Sequence, residues 1–143
     1  SLHYNIILVS RSLDKLNTRA QYLQDTYKVK TKVVEANFSK CASEKLFFEK
    51  LIKDCESDKN DIGILVNNVG LLQRCIKSAS YEDTLYLNHV NTIGTVCLTN
   101  LMVNYFKKRQ HKSAVIIQSS IAAAQPREGN FHYSLERTES LNH

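Results

Sequence analysis

Residues Ile62 to Asn67 read IGILVN, and this run constrains the fold more than any other stretch of the chain. Alternate residues of a strand point to opposite faces, and here both faces carry apolar side chains. Strands of this kind belong to parallel sheets, whose βαβ crossovers place helices over both faces. A half-wet antiparallel sheet would alternate apolar with polar residues instead.

The rest of the chain supplies partners for such a strand. Asn5 to Ser10, NIILVS, is an apolar β-branched run and predicts a buried strand. Leu13, Leu16, Ala20, Leu23 and Tyr27 recur at intervals of three and four, one face of a helix, with Ser12 placed to cap it. Lys30 to Ala36, KTKVVEA, predicts a second strand, and Phe47, Phe48, Leu51, Ile52 and Cys55 mark a second helix. A polar stretch with room for a short helix follows Gly70. A long amphipathic helix then begins at Val90 and runs through Gly94, Cys97, Leu101 and Met102 to Phe106. Ser113 to Ser119, SAVIIQS, is the fourth strand. Strands alternating with helices predict the α/β class and a doubly wound parallel sheet of Rossmann type.

Composition excludes several other readings. The chain has 143 residues, 43% hydrophobic and 23% charged, enough for one domain with a core of its own. No run reaches the roughly 18 apolar residues of a membrane span, so no transmembrane segment is expected in this chain. The net charge of +5 directs attention to nucleic acid, but the basic residues are dispersed. The one cluster, KKRQHK at 107–112, ends a predicted helix, where positive charge is favoured by the helix dipole. No aromatic residues interleave with it as a stacking platform, so nucleic acid is not an expected partner. Cysteines 41, 55, 75 and 97 contain no Cys-x-x-Cys pair, which argues for free thiols rather than a metal or dithiol site.

Open sheets of this class bind ligands beyond the carboxyl ends of their strands. The residues there are Arg11 and Ser12, then Asn37 and Phe38, then Asn67, Asn68, Val69 and Gly70, then Ser119 and Ser120. Taken alone, the serines are equally cap residues, and His132 and Tyr133 equally surface residues. A serine hydrolase lacks support, because no Gly-x-Ser-x-Gly turn surrounds either serine.

ILVNNVG resembles the Asn-Asn-x-Gly motif of the short-chain dehydrogenase/reductase family. Ser120 stands thirteen residues before Tyr133, the spacing of that family's catalytic serine and tyrosine, and NTIG at Asn91 is similar to its catalytic asparagine segment. NIILVSRSLDKL together with IGILVNNVG narrows the likeness to the branch of 17-beta-hydroxysteroid dehydrogenases and very-long-chain 3-oxoacyl-CoA reductases. The resemblance extends to about Arg137.

It implies an oxidoreductase that uses NADP(H) on the carbonyl or hydroxyl of a small lipid or steroid substrate. Tyr133 would donate the proton, Ser120 would orient the substrate oxygen, and Asn91 would hold a water in a proton relay. Arg137 stands where the family has a lysine that binds the nicotinamide ribose and lowers the tyrosine pKa. Arg11, a basic residue after the first strand, would pair with the 2′-phosphate of NADP(H). Asn37 replaces an adenine-contacting aspartate, and Asn68 and Gly70 would lie near the adenosine ribose. The branch also implies the endoplasmic reticulum, with mitochondrion or cytoplasm as alternatives, and a homodimer of the complete protein.

None of the four glycines forms the Gly-rich phosphate loop of the family. The expectation is therefore an incomplete Rossmann-like domain over 1–143, lacking the first strand and its loop and ending just after the catalytic tyrosine. In a 3-2-1-4-5-6 sheet the first strand joins the two halves, so without it each half exposes an edge. The alternative is a catalytically inactive relative that acts by binding only.

Overall fold

The computed structural model describes residues 4–41, 44, 46–57, 60–71 and 80–120. The chain divides into two compact units, Ser1–Phe38 with Leu46–Asp61, and Ser39–Lys45 with Ile62–His143.

In the first unit, β1 (Ile6–Ser10) and β2 (Thr31–Glu35) are parallel, with Ile6 opposite Thr31 and Ser10 opposite Glu35. The ladder continues at both ends: the Ile6 N–H donates to the Lys30 carbonyl and the Ala36 N–H to the Ser10 carbonyl, each at 2.9 Å. The crossover between the strands is α1 (Leu13–Tyr27). Ser12 occupies its N-cap position, but the hydroxyl makes no capping bond, which corrects the sequence expectation. Ser12 has φ −117° and ψ 100°, whereas Ser80, at φ −71° and ψ 163°, caps its helix. At the far end Lys28 adopts the left-handed conformation, φ 55°, and its N–H returns to the Gln24 carbonyl.

Helix α2 (Phe47–Glu56) completes this unit. Its buried face, Phe47, Phe48, Leu51 and Cys55, repeats at helical spacing. Phe47 and Phe48 stack edge to face at 5.0 Å, and Phe38, in the short 3₁₀ turn after β2, meets them at 5.5 and 6.3 Å. Such pairs add about 0.5–1.5 kcal/mol beyond the area they bury.

The second unit pairs β3 (Ile64–Asn67) with β4 (Ala114–Ile117), again parallel, with Ile64 opposite Ala114 and Asn67 opposite Ile117. The Gln118 N–H extends the ladder to the Asn67 carbonyl at 2.9 Å. Between the strands runs one helical stretch longer than the sequence pattern predicts: α3 (Tyr81–Asn88), a π-turn (His89–Ile93) and α4 (Gly94–Phe106). Its start is set by a capping box: the Asp83 N–H donates to the Ser80 hydroxyl at 3.1 Å and the Ser80 N–H to the Asp83 carboxylate at 3.3 Å. After α4, the Arg109 guanidinium donates to the Lys112 carbonyl and the Ser113 hydroxyl, holding the entry to β4. A Cβ at Gly63 would come within 3.2 Å of that guanidinium, so glycine suits the close approach.

The fold class is α/β with parallel strands, as the alternation of elements predicts. Each sheet has two strands, β1 with β2 and β3 with β4, and among the described residues no ladder joins them. Asn67 meets α4, and on the opposite face of this sheet Val66 is 57% and Ile116 50% exposed. Cys41, Cys55 and Cys97 are free thiols. No helix among the described residues is long and apolar enough to cross a membrane.

Candidate active site

The carboxyl ends of the strands are where the fold places ligand-binding residues. Arg11 follows β1, exposed, and Asn37 follows β2, half-buried, both in the first unit. In the second unit β3 and β4 run parallel, so Asn67, Asn68 and Gly70 lie at the same end of the sheet as Ser119 and Ser120. Asn68 and Gly70 are exposed, whereas both serines are half-buried.

Asn91 is drawn to this end by its own side chain. It is 1% exposed and sits within the π-turn. Its amide oxygen accepts from the Leu71 N–H at 2.7 Å, and its amide nitrogen donates to the Leu71 carbonyl at 3.0 Å. Leu71 directly follows the Asn-Asn-Val-Gly turn, so a residue twenty positions downstream clamps the exit from that turn. The need is physical: a buried amide without partners costs about 1–3 kcal/mol, and the irregular backbone at Leu71 offers a donor and an acceptor side by side. The Asn91 carbonyl also accepts from the Thr95 hydroxyl at 3.2 Å. A π-turn adds a residue to the helical repeat and changes the direction of its backbone groups, a feature frequent at functional sites.

Asn67, the first asparagine of the motif, is also buried. Its amide donates to the Thr99 hydroxyl on α4 at 2.8 Å, while its main-chain carbonyl receives Gln118 from beside β4. Asn67 thus ties the end of β3 to a helix through its side chain and to a strand through its backbone. Paired amides at a strand end suit a tie between neighbouring strand ends, but the sequence does not single out Thr99 on the helix as the side-chain partner. The available signal was an amide at a position of β3 that points inward, where an apolar residue would be expected. Tyr133 and Arg137 lie outside the described residues.

The description short chain dehydrogenase matches residues 1–135. The chain belongs to the short-chain dehydrogenase family. Within it the chain is 32% identical over 121 residues to 17-beta-hydroxysteroid dehydrogenase type 3 of Homo sapiens, covering 82% of this chain and 37% of that protein. It is 33% identical over 125 residues to inactive hydroxysteroid dehydrogenase-like protein 1 of Homo sapiens, covering 85% and 36%. To the very-long-chain 3-oxoacyl-CoA reductase of Schizosaccharomyces pombe it is 30% identical over 115 residues, covering 77% and 32%. The chain therefore spans about a third of the length of these relatives. Among solved structures, one described as giving insights into 7beta-hydroxysteroid dehydrogenase stereoselectivity superposes with a TM-score of 0.81 at 26% identity, covering 96% of this chain and 51% of the other.

Proposed function

We propose that the chain is the part of an NADP(H)-dependent oxidoreductase that carries its proton-transfer residues, acting on the carbonyl or hydroxyl of a steroid or a 3-oxoacyl-CoA. The observation that carries this reading is the Asn91 clamp, which holds the asparagine, buried in a π-turn, against the residue that follows the Asn-Asn-x-Gly turn. The relatives named for hydroxysteroid and 3-oxoacyl-CoA chemistry support the substrate class.

Each unit offers groups of the kinds that a dinucleotide binds. Arg11 offers a cation for a 2′-phosphate beyond β1, Asn37 offers an amide for the adenine, and Asn68 and Gly70 form an exposed polar turn suited to a ribose. When bound, the nicotinamide supplies the hydride. In reduction, Ser120 holds the substrate oxygen and Tyr133 delivers a proton to it. Asn91, held in place by Leu71, keeps a water in the proton relay. Arg137, four positions after the tyrosine in sequence, supplies a positive charge where the family has a lysine. A free phenol has a pKa of about 10, so work at neutral pH needs a shift of about three units. The forked guanidinium is a poorer fit than the compact ammonium of lysine for serving a ribose and a phenol together. Residence at the endoplasmic reticulum and a homodimeric whole protein belong to the same reading.

The likeness to a relative named inactive, together with Arg137 in the lysine position, favours a second reading in which this chain binds and does not turn over. A chimera separates the two: residues 1–137 replace the matching segment of human 17-beta-hydroxysteroid dehydrogenase type 3, and NADPH oxidation is followed with a ketosteroid. The first reading expects slow turnover, a gain of about tenfold with Arg137→Lys (about 1.4 kcal/mol of barrier) and loss of turnover with Tyr133→Phe. Cofactor binding without turnover in either protein supports the second. Full activity in Tyr133→Phe sinks the catalytic assignment.

A further inference from the structure

The π-turn under Asn91 has a second tether. The Cys41 thiol donates to the His89 carbonyl at 3.3 Å, joining residues 48 positions apart within the second unit. Cys41 is 8% exposed. A small turn presents it: the Glu44 N–H closes onto the Lys40 carbonyl at 3.0 Å, and the Lys40 and Glu44 side chains pair across the same turn at 3.7 Å.

The acceptor matters more than the donor. The His89 carbonyl is also the one that receives the Gly94 N–H, five residues on. In an unbroken α-helix that carbonyl would serve the amide four residues on. A side chain that inserts into the helical ladder and draws a carbonyl outward is a known cause of kinks and bulges. Here a thiol bonds such a carbonyl two residues before Asn91. We propose that Cys41 is a positioning residue for Asn91: by engaging the His89 carbonyl it holds the π-turn in the register that carries the Asn91 amide onto Leu71. The role rests on the reading above, in which Asn91 belongs to the catalytic set. Burial, and next the neighbouring Cys97, push the Cys41 pKa up, which keeps the sulfur protonated and able to donate at neutral pH.

The test is amide hydrogen exchange on this chain, comparing Cys41→Ala, which removes the donor, with Cys41→Ser, which keeps one. The reporters are the Gly94 and Leu71 amides, with Gln118, bonded to Asn67 in the sheet of the same unit, as reference. Loss of one hydrogen bond should speed Gly94 and Leu71 about five- to tenfold relative to Gln118 in Cys41→Ala. Cys41→Ser should restore them to within about twofold. Equal acceleration of all three amides, or a serine variant no better than alanine, overturns the proposal. Should the alanine variant fail to fold, infrared spectroscopy of the wild type decides. The S–H stretch lost in Cys41→Ser must lie below that of a thiol in apolar solvent, and a stretch at the unbonded frequency overturns the tether. A negative result leaves the Tyr133→Phe outcome in the chimera untouched, so the two readings fail separately.

Discussion

Both units bury apolar side chains, but they differ in the polar groups buried beside them. The first keeps its core apolar: Leu16, Ala20, Val34, Leu51 and the three phenylalanines fill the space between β1, β2 and the helices. The second buries two asparagines, Asn67 and Asn91, and leaves Val66 and Ile116 largely in solvent. Non-directional burial holds the first unit together, and its side chains tolerate small shifts. Directional bonds hold the site end of the second, where a shift of half an ångström loses a partner outright. The comparison separates packing from positioning within one chain, and it predicts different responses to damage.

The largest effect should come from the aromatic cluster. Phe48→Ala removes edge-to-face contacts with Phe38 and Phe47 and opens a cavity, at a cost of about 3–5 kcal/mol. The Ile6 amide should lose its protection from exchange while Gln118, in the other sheet, keeps more of its own. Equal loss at both would show that the units melt as one and would break the comparison.

Next comes Asn91→Ala, which strands the N–H and carbonyl of Leu71. The expected cost is about 1–3 kcal/mol, read from urea unfolding. The damage should be concentrated at Leu71 and sparing of Ile6, the reverse of the phenylalanine variant. An Asn91→Ala protein as stable as the wild type would mean that the clamp does not hold in solution.

The smallest effect concerns pH. Burial, partly countered by Lys32, raises the Cys55 pKa from its ordinary 9.0 to about 11. A thiol whose pKa is higher folded than unfolded stabilises the fold fully below pH about 9, and that contribution is lost as the pH rises through about 11. Urea midpoints across this window should fall more steeply for the wild type than for Cys55→Ala. Parallel slopes would show that water reaches the thiol and that the first core is looser than its rings suggest.

How much of this was legible in advance depends on the residue. The faces of α1 and α2 and the four strands follow from the spacing of Leu16, Ala20, Phe47, Phe48 and Leu51, because burial repeats with the geometry of the backbone. The place of Asn91 near the site was also legible, through likeness to the family motif. The capping box at Ser80 and Asp83 carried a local signature, serine followed three residues later by an acid, that marks the start of α3 well before the apolar pattern begins at Val90. The missing hydroxyl cap at Ser12 was not legible, since a preferred residue type says nothing of the geometry that residue adopts.

The sequence by itself determined the alternation of strands and helices, the parallel pairing and the family. Those properties reside in short-range periodicity and contiguous motifs, which survive in one dimension. Only the tertiary structure decided that Asn91 grips Leu71, that Asn67 reaches Thr99, that Cys41 meets the His89 carbonyl, and that the helix opens into a π-turn there. These contacts span 20 to 48 positions of chain and depend on distance and angle. A hydrogen bond between distant residues has no period, and it exists only once the backbone has brought donor and acceptor within about 3 Å of each other.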